Sequence, residues 1–242
     1  MTSQSMFEIA GNRKIARDVW EMRLAGDTAA IKHPGQFVNI RLDGLFLRRP
    51  ISVCTFGEGY LTIIYKVVGK GTAQMAGMMA GDRLDVLTGL GNGFNAAPAL
   101  GKRIALIGGG VGVPPLYGLM ERLRGEDVIC VLGFQNAADV FYVEEFERLG
   151  ARVVVTTADG SAGRKGFVTD ALKEMAYGYY FACGPEPMLR AVHRLGGEGQ
   201  LSFEARMGCG FGACMGCSCE TLTGGKRICL EGPVLLSGEV KL

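Results

Sequence analysis

A chain of 242 residues with 48% apolar content has material for the cores of two modest domains, or of one domain with appendages. Its 26 basic and 24 acidic residues nearly cancel to a net charge of +2, and no basic block or aromatic–basic interleaving occurs, which argues against nucleic acid and anionic membrane as partners. Mean hydropathy is +0.20, yet no apolar run approaches the ~20 residues of a membrane span, and the opening MTSQSMFEIAGNRKIARD lacks the charged-then-apolar pattern of a secretory signal.

Taken in chain order, the first hundred residues read as β structure. Alternating or apolar runs at Gln36–Leu42, Ile51–Thr55, Leu61–Val68 and Arg83–Leu87 are separated by Gly, Asp and Pro, the pattern of a small antiparallel barrel. One helical stretch, Thr72–Met79, interrupts them. The rhythm then changes to short apolar strands at Arg103–Ile107, Val128–Phe134, Arg152–Thr156 and Tyr179–Ala182. Helical segments at Pro115–Arg124, Val143–Leu149, Val168–Met175 and Pro187–Leu195 lie between and after them, which predicts a parallel sheet with helices on its faces. Residues 196–200 (GGEGQ) read as a linker. The final segment carries a hairpin-like turn at Thr223–Lys226. The expected class is α+β multidomain, divided as a barrel over 1–98, a Rossmann-like α/β domain over 99–200 and a cysteine module over 201–242.

That module carries the most specific signal. Cys209, Cys214, Cys217 and Cys229 follow C-x4-C-x2-C with a fourth cysteine beyond, the plant-type spacing for a [2Fe–2S] cluster. Gly208, Gly210, Gly212 and Gly216 supply backbone that can curl around an inorganic core with its N–H groups aimed at sulfur. Zinc also accepts four thiolates, but its sites usually arrive as two C-x2-C pairs. Cys219 is a fifth thiol in the neighbourhood and reads as a bystander. Of the eight cysteines five lie between 209 and 229, and with no export signal a reducing, cytoplasmic compartment is expected. Cys54 and Cys130, inside apolar runs, read as core residues.

Four further segments carry weaker signals. In Arg49-Pro50-Ile51-Ser52 the arginine fork suits a phosphate and the serine a flavin or phosphate oxygen, although a surface arginine opening a strand is the simpler reading of the tetrapeptide alone. Gly69-Lys70-Gly71-Thr72 leads into a helix N-terminus, where a pyrophosphate or merely a threonine cap would fit. The strand end Ile64-Tyr65-Lys66 can bring an aromatic ring and a cation to the same place. Gly108-Gly109-Gly110-Val111-Gly112 follows a strand and opens a helix, the context for a dinucleotide pyrophosphate, with Pro115 standing where a third glycine is usual. Cys183-Gly184-Pro185 ends a strand at the crevice side of such a sheet, and Cys183 reads equally as ligand contact or buried spacer. Both histidines, His33 and His193, read as surface or core residues.

In this order the motifs resemble the ferredoxin–NADP reductase superfamily, and Met207–Cys219 with Cys229–Val234 resembles, more narrowly, the electron-transfer subunits of NAD-dependent (class 1B) dihydroorotate dehydrogenases. The resemblance covers essentially the whole chain. It implies FAD held by Arg49, Pro50, Ile51 and Ser52, by Ile64, Tyr65 and Lys66, and by Gly71 and Thr72. It implies cluster ligation by the four named cysteines. Gly109, Gly110 and Gly112 with Cys183, Gly184 and Pro185 are the expected contacts of NAD, which is favoured over NADP because Gly133–Asp139 offers no Arg or Lys for a 2′-phosphate. No side chain needs to act as acid or base. Dihydroorotate itself is expected to be oxidised elsewhere, since a (β/α)8 barrel takes ~250 residues by itself. The implied partner is an FMN-containing barrel subunit, in a heterotetramer with two subunits of each type. A flavin and iron–sulfur subunit of an NAD(P)H–ferredoxin oxidoreductase is the alternative, against which Cys209 weighs because those relatives often carry Asp at the first ligand position.

Overall fold

The computed structural model describes residues 2–242. Strands β1 (Ser3–Ala16), β2 (Val19–Ala25), β3 (Phe37–Ile40), β4 (Arg49–Gly57) and β5 (Tyr60–Lys66), then helix α1 (Lys70–Ala76) and strand β6 (Arg83–Leu90), make the first unit. The six strands close into an antiparallel barrel in the order β1-β2-β5-β4-β3-β6. Alternation sets the interior face: in β6 Leu84, Val86, Thr88 and Leu90 are buried while the residues between them are not. Phe7, Ile9, Met22, Leu24, Val38, Ile40 and Met75 share the barrel core, each contributing ~1.5–3 kcal/mol relative to exposure.

Two barrel strands lie outside the predicted set. In β1 the register against β2 shifts between Ile9 and Gly11 and again between Lys14 and Ala16, so its sequence never shows a clean period of two. The helix expected from Thr72 begins two residues earlier, because Gly69 is its cap and Thr72 reaches back from the third helical position.

The second unit follows the predicted alternation. It comprises β7 (Ile104–Gly109), α2 (Val113–Arg122), β8 (Val128–Phe134), α3 (Val143–Arg148), β9 (Arg152–Thr157), β10 (Arg164–Lys165), α4 (Val168–Leu172), β11 (Tyr179–Cys183), α5 (Glu186–Arg194) and β12 (Gly199–Ser202). Strand β7 feeds both faces of the sheet. Ile104 and Leu106 enter a core with Leu116 and Leu119 of α2, and Ala105 and Ile107 enter one with Leu172 of α4 and Val192 of α5. Burial on both faces explains the near-continuous apolar run of β8.

The linker expected over 196–200 is overturned in its second half, since Gly199 and Gln200 open β12. Gly199 pairs with Tyr180 of β11, and a Cβ there would lie 2.6 Å from the Tyr180 ring, so the glycine makes room for the aromatic side chain. The last strands are β13 (Ser218–Thr221), β14 (Gly224–Arg227) and β15 (Val234–Leu236). The hairpin turn falls at Leu222 and Thr223, earlier than expected, because the Thr221 hydroxyl accepts from the Thr223 N–H and donates to the Gly224 carbonyl. Strand β15 runs antiparallel to β12 as the edge of the seven-stranded sheet β10-β9-β8-β7-β11-β12-β15, which ties the cysteine segment into the second unit.

Candidate functional site

The cysteine loop brings its four expected ligands together as two pairs. Cys209 and Cys214 face each other across a tight curl in which Cys209 Sγ accepts from the N–H groups of Ala213 (3.2 Å) and Cys214 (3.4 Å), and Cys214 Sγ accepts from the N–H of Cys209 (3.4 Å). Cys217 and Cys229 form the second pair, with the Cys229 N–H on Cys217 Sγ at 3.4 Å. Gly210 (φ +81°) and Gly212 (φ +92°) take the left-handed turns the curl needs. Among the described residues, no three His, Cys, Asp or Glu side chains converge on a single point. Two irons take two thiolates each, and the two cysteine pairs fit such a core.

The pairs differ in setting. Cys217 and Cys229 are buried at 4% and 1% exposure among Ile228 and Leu235, while Cys209 is half-buried and Cys214 exposed. Burial raises the Cys209 thiol, but the N–H groups of Cys214, Phe211 and Ala213 outweigh it and hold the thiol down at about 6. Burial and the neighbouring Cys217 push Cys229 up to about 12. Cys219 lies in β13 opposite Lys226, outside both pairs. Arg227 clamps the curl from β14: it donates to the Gly212 carbonyl at 2.9 Å and pairs with Glu231.

Of the segments expected to hold FAD, Pro50, Ser52 and Lys66 face the barrel's outside, while Ile51, opposite Val38, packs against the barrel core. Arg49, Pro50, Ile51 and Ser52 are all half-exposed along β4. A Cβ on Gly71 would overlap the Arg49 guanidinium, so the arginine lies across the start of α1. Two expectations there need correcting. The Tyr65 side chain points into the barrel, 2% exposed, with its hydroxyl donating to Asn12 Oδ1 at 3.1 Å, because β5 alternates and only Ile64 and Lys66 share the other face. The Thr72 hydroxyl is engaged by its own turn, accepting from the N–H groups of Val68 (2.9 Å) and Gly69 (3.3 Å). What Tyr65 and Thr72 can offer a ligand is therefore backbone. The opening turn of α1 leaves the N–H groups of Lys70, Gly71 and Thr72 without helical acceptors, beside a guanidinium, which suits a pyrophosphate.

The two segments expected to meet NAD are pressed together. A Cβ on Gly112 would overlap the carbonyl of Cys183, and one on Gly109 would lie 2.6 Å from Met188 Sδ and 3.1 Å from Pro185 Cδ. Gly110 has φ +51°. The glycines thus permit backbone-to-backbone approach at the carboxyl ends of β7 and β11, where a nucleotide binds in such sheets. Pro114 and Pro115 sit in the first turn of α2, where no N–H is lost to the helix. The Cys183 thiol is buried and pushed up to about 12 by that burial, which makes it a neutral wall.

Sequence reasoning passed over three positioning contacts. Gly118, inside α2, lies against the Cys54 carbonyl of β4 and seats the second unit on the barrel; an isolated mid-helix glycine was the available signal. Asn92 donates to the carbonyls of Glu231 (3.0 Å) and Val234 (2.7 Å) and accepts from the Val234 N–H, holding the chain after the fourth cysteine. Asn39 of β3 donates to the Cys209 carbonyl at 3.2 Å.

Comparison with known proteins places this geometry. A family model described as the iron–sulfur cluster binding domain of dihydroorotate dehydrogenase B matches residues 204–241, and one described as an oxidoreductase NAD-binding domain matches 106–194. The chain is 45% identical to a Bacillus caldolyticus protein named dihydroorotate dehydrogenase B (NAD(+)), electron transfer subunit, covering 100% of each. It is 43% identical to the Fusobacterium nucleatum protein of the same name, covering 96% of each. Among solved structures, an NADH-dependent reduced ferredoxin–NADP oxidoreductase superposes with a TM-score of 0.87 at 31% identity, covering 98% of this chain and 90% of that one.

Proposed function

This chain belongs to the family of electron-transfer subunits of NAD-dependent dihydroorotate dehydrogenase B, and on that premise we propose that it relays electrons from a catalytic partner that oxidises dihydroorotate to NAD+, in pyrimidine synthesis. We take the partner to be an FMN-containing barrel subunit, the assembly to be a heterotetramer with two of each, and the compartment to be the cytoplasm. Among the described residues no helix is long and apolar enough to cross a membrane. The working division remains 1–98 for flavin, 99–200 for nucleotide and 201–242 for the cluster, with β15 of the last reaching back into the second sheet.

A [2Fe–2S] cluster supplies one-electron carriage, and FAD the conversion between single electrons and a hydride. The chain's own residues bind and orient. Cys209 and Cys214 would hold the outward iron and Cys217 and Cys229 the inward one, with the N–H groups of Ala213, Cys214 and Cys229 tuning the sulfurs. Arg49 and the backbone of Gly71 and Thr72 would carry the flavin pyrophosphate, with Pro50, Ser52 and Lys66 lining its approach and Ile51 and Ile64, packed into the cores on either side, offering backbone. Gly109, Gly110, Gly112, Cys183, Gly184 and Pro185 would form the floor for the nicotinamide nucleotide. Phe211, Met215 and Leu230, exposed at 48%, 58% and 46%, belong to the cysteine segment, and we take them as part of the docking face for the partner.

The observation that carries this reading is the division of the four cysteines into an outer pair, half-buried Cys209 with exposed Cys214, and a buried pair, Cys217 with Cys229. The test is reconstitution with the FMN partner: dihydroorotate and NAD+ should yield NADH only when both subunits are present. The likeness to the ferredoxin–NADP oxidoreductase favours a second reading, a reductase of ferredoxin. Turnover of ferredoxin by the isolated chain, without the partner, would select it.

A further inference from the structure

We propose that Asn39 is a positioning residue that sets the cluster loop against the flavin-holding strand and so fixes the distance an electron must cross between them. The proposal rests on the reading above, that FAD and the cluster occupy these two places.

Strand β3 presents Phe37 and Asn39 on its outer face. Directly opposite residues of antiparallel strands point the same way, and here Phe37 pairs with Ser52 and Asn39 with Pro50. Phe37 packs into the core that holds Cys217 and Cys229, while Pro50 and Ser52 belong to the half-exposed flavin segment. Asn39 therefore stands between the two. Its amide Nδ2 donates to the Cys209 carbonyl at 3.2 Å, and a Cβ on Gly210 would lie 2.5 Å from that nitrogen, so only glycine lets the loop come this close. Among the described residues, Asn39 makes the one hydrogen bond from the barrel to the segment 208–216. The strand is braced on its far side, where Arg48 reaches the Asn39 carbonyl (3.4 Å) and is held by both carboxylate oxygens of Asp85 (3.0 Å each).

Asn39 is 1% exposed, and its Oδ1 is buried with no partner. An unpaired buried acceptor lowers stability, and an apolar residue of the same shape would not carry that cost. Asn39→Leu keeps the branching of the side chain, with bulkier methyl groups, and removes the hydrogen bond; Asn39→Asp keeps the shape and sets a carboxylate against the Cys209 carbonyl.

The variants are compared with wild type as holoproteins of measured FAD and iron content, mixed anaerobically with NADH in a stopped-flow instrument. Hydride transfer from NADH to the flavin should be unchanged. The following phase, in which one electron passes from reduced flavin to the oxidised cluster, should slow severalfold, because the rate of electron tunnelling falls steeply with distance. The slowing should be larger in Asn39→Asp. The low-temperature resonance of the reduced cluster should shift in both variants. An unchanged second phase and unchanged resonance in both variants would overturn the proposal. Should Asn39→Asp lose its cluster, Asn39→Leu alone decides by the same criteria. Wild type lacking FAD or iron would instead sink the functional reading, and this proposal with it.

Discussion

Arg49 is the side chain on which flavin retention should depend most. It lies across Gly71, close enough that any Cβ there would overlap its guanidinium, and among the described residues no carboxylate pairs with it. A charge-assisted hydrogen bond to phosphate contributes ~1.5–3 kcal/mol, so Arg49→Ala should weaken FAD binding about ten- to hundredfold, read by equilibrium titration of flavin fluorescence. Unchanged affinity would remove Arg49 from the site. A second expectation concerns acid. Arg227 beside Glu231 holds its carboxyl down at about 2, from an ordinary value of 4.5. A depressed carboxylate adds stability that is fully present above the unfolded value and is lost as pH falls through the folded one. The difference in Tm between wild type and Glu231→Gln should therefore shrink as pH drops from 4.5 toward 2, and a constant difference would deny the pair its role. At this scale the cluster ligands were legible because their spacing is itself the chemistry. The inward turn of Tyr65 was not, since strand alternation decides it only once the barrel's inside is known. Asn39 gave no signal in sequence because its partner, Cys209, lies 170 positions away.

Between elements, the seat of α2 on β4 is the contact that positions the nucleotide floor relative to the flavin strand. Gly118 touches the Cys54 carbonyl there, and a larger side chain must push the helix off. Gly118→Val should cost ~1–3 kcal/mol through overpacking, lowering Tm by a few degrees, and should slow hydride transfer from NADH more than it weakens binding of either cofactor. Equal Tm and equal transfer would show that the helix tolerates the displacement. The parallel strands β7, β8, β9 and β11 were legible as short apolar runs because burial on two faces leaves little else in them. Strands β1, β2 and β12 were hidden for local reasons: bulges in β1 interrupt the period, and Gly199 in β12 answers to the Tyr180 ring rather than to strand propensity. The mid-helix glycine at 118 was visible, but its meaning depended on a strand more than sixty residues earlier.

For the molecule as a whole, the cysteine segment is no appendage. Its β15 completes the sheet, Asn92 fastens the chain just before that strand, and Asn39 joins its loop to the barrel. The three motif regions, far apart in sequence, thereby share one junction at the outer face of β3 and β4. Motif order foretold that assembly in outline, while the join between the cluster loop and the barrel emerged only from the fold. The account requires iron–sulfur and flavin chemistry in this single polypeptide, with the two centres in electronic contact. The most direct measurement is electron paramagnetic resonance of the purified protein after anaerobic addition of NADH, alongside quantitation of iron, acid-labile sulfide and extractable FAD. The account predicts about one FAD and about two irons with two sulfides per chain, and a reduced [2Fe–2S] signal that grows as the flavin colour bleaches. Zinc in place of iron, or a cluster that NADH leaves oxidised while the flavin is reduced, would contradict it.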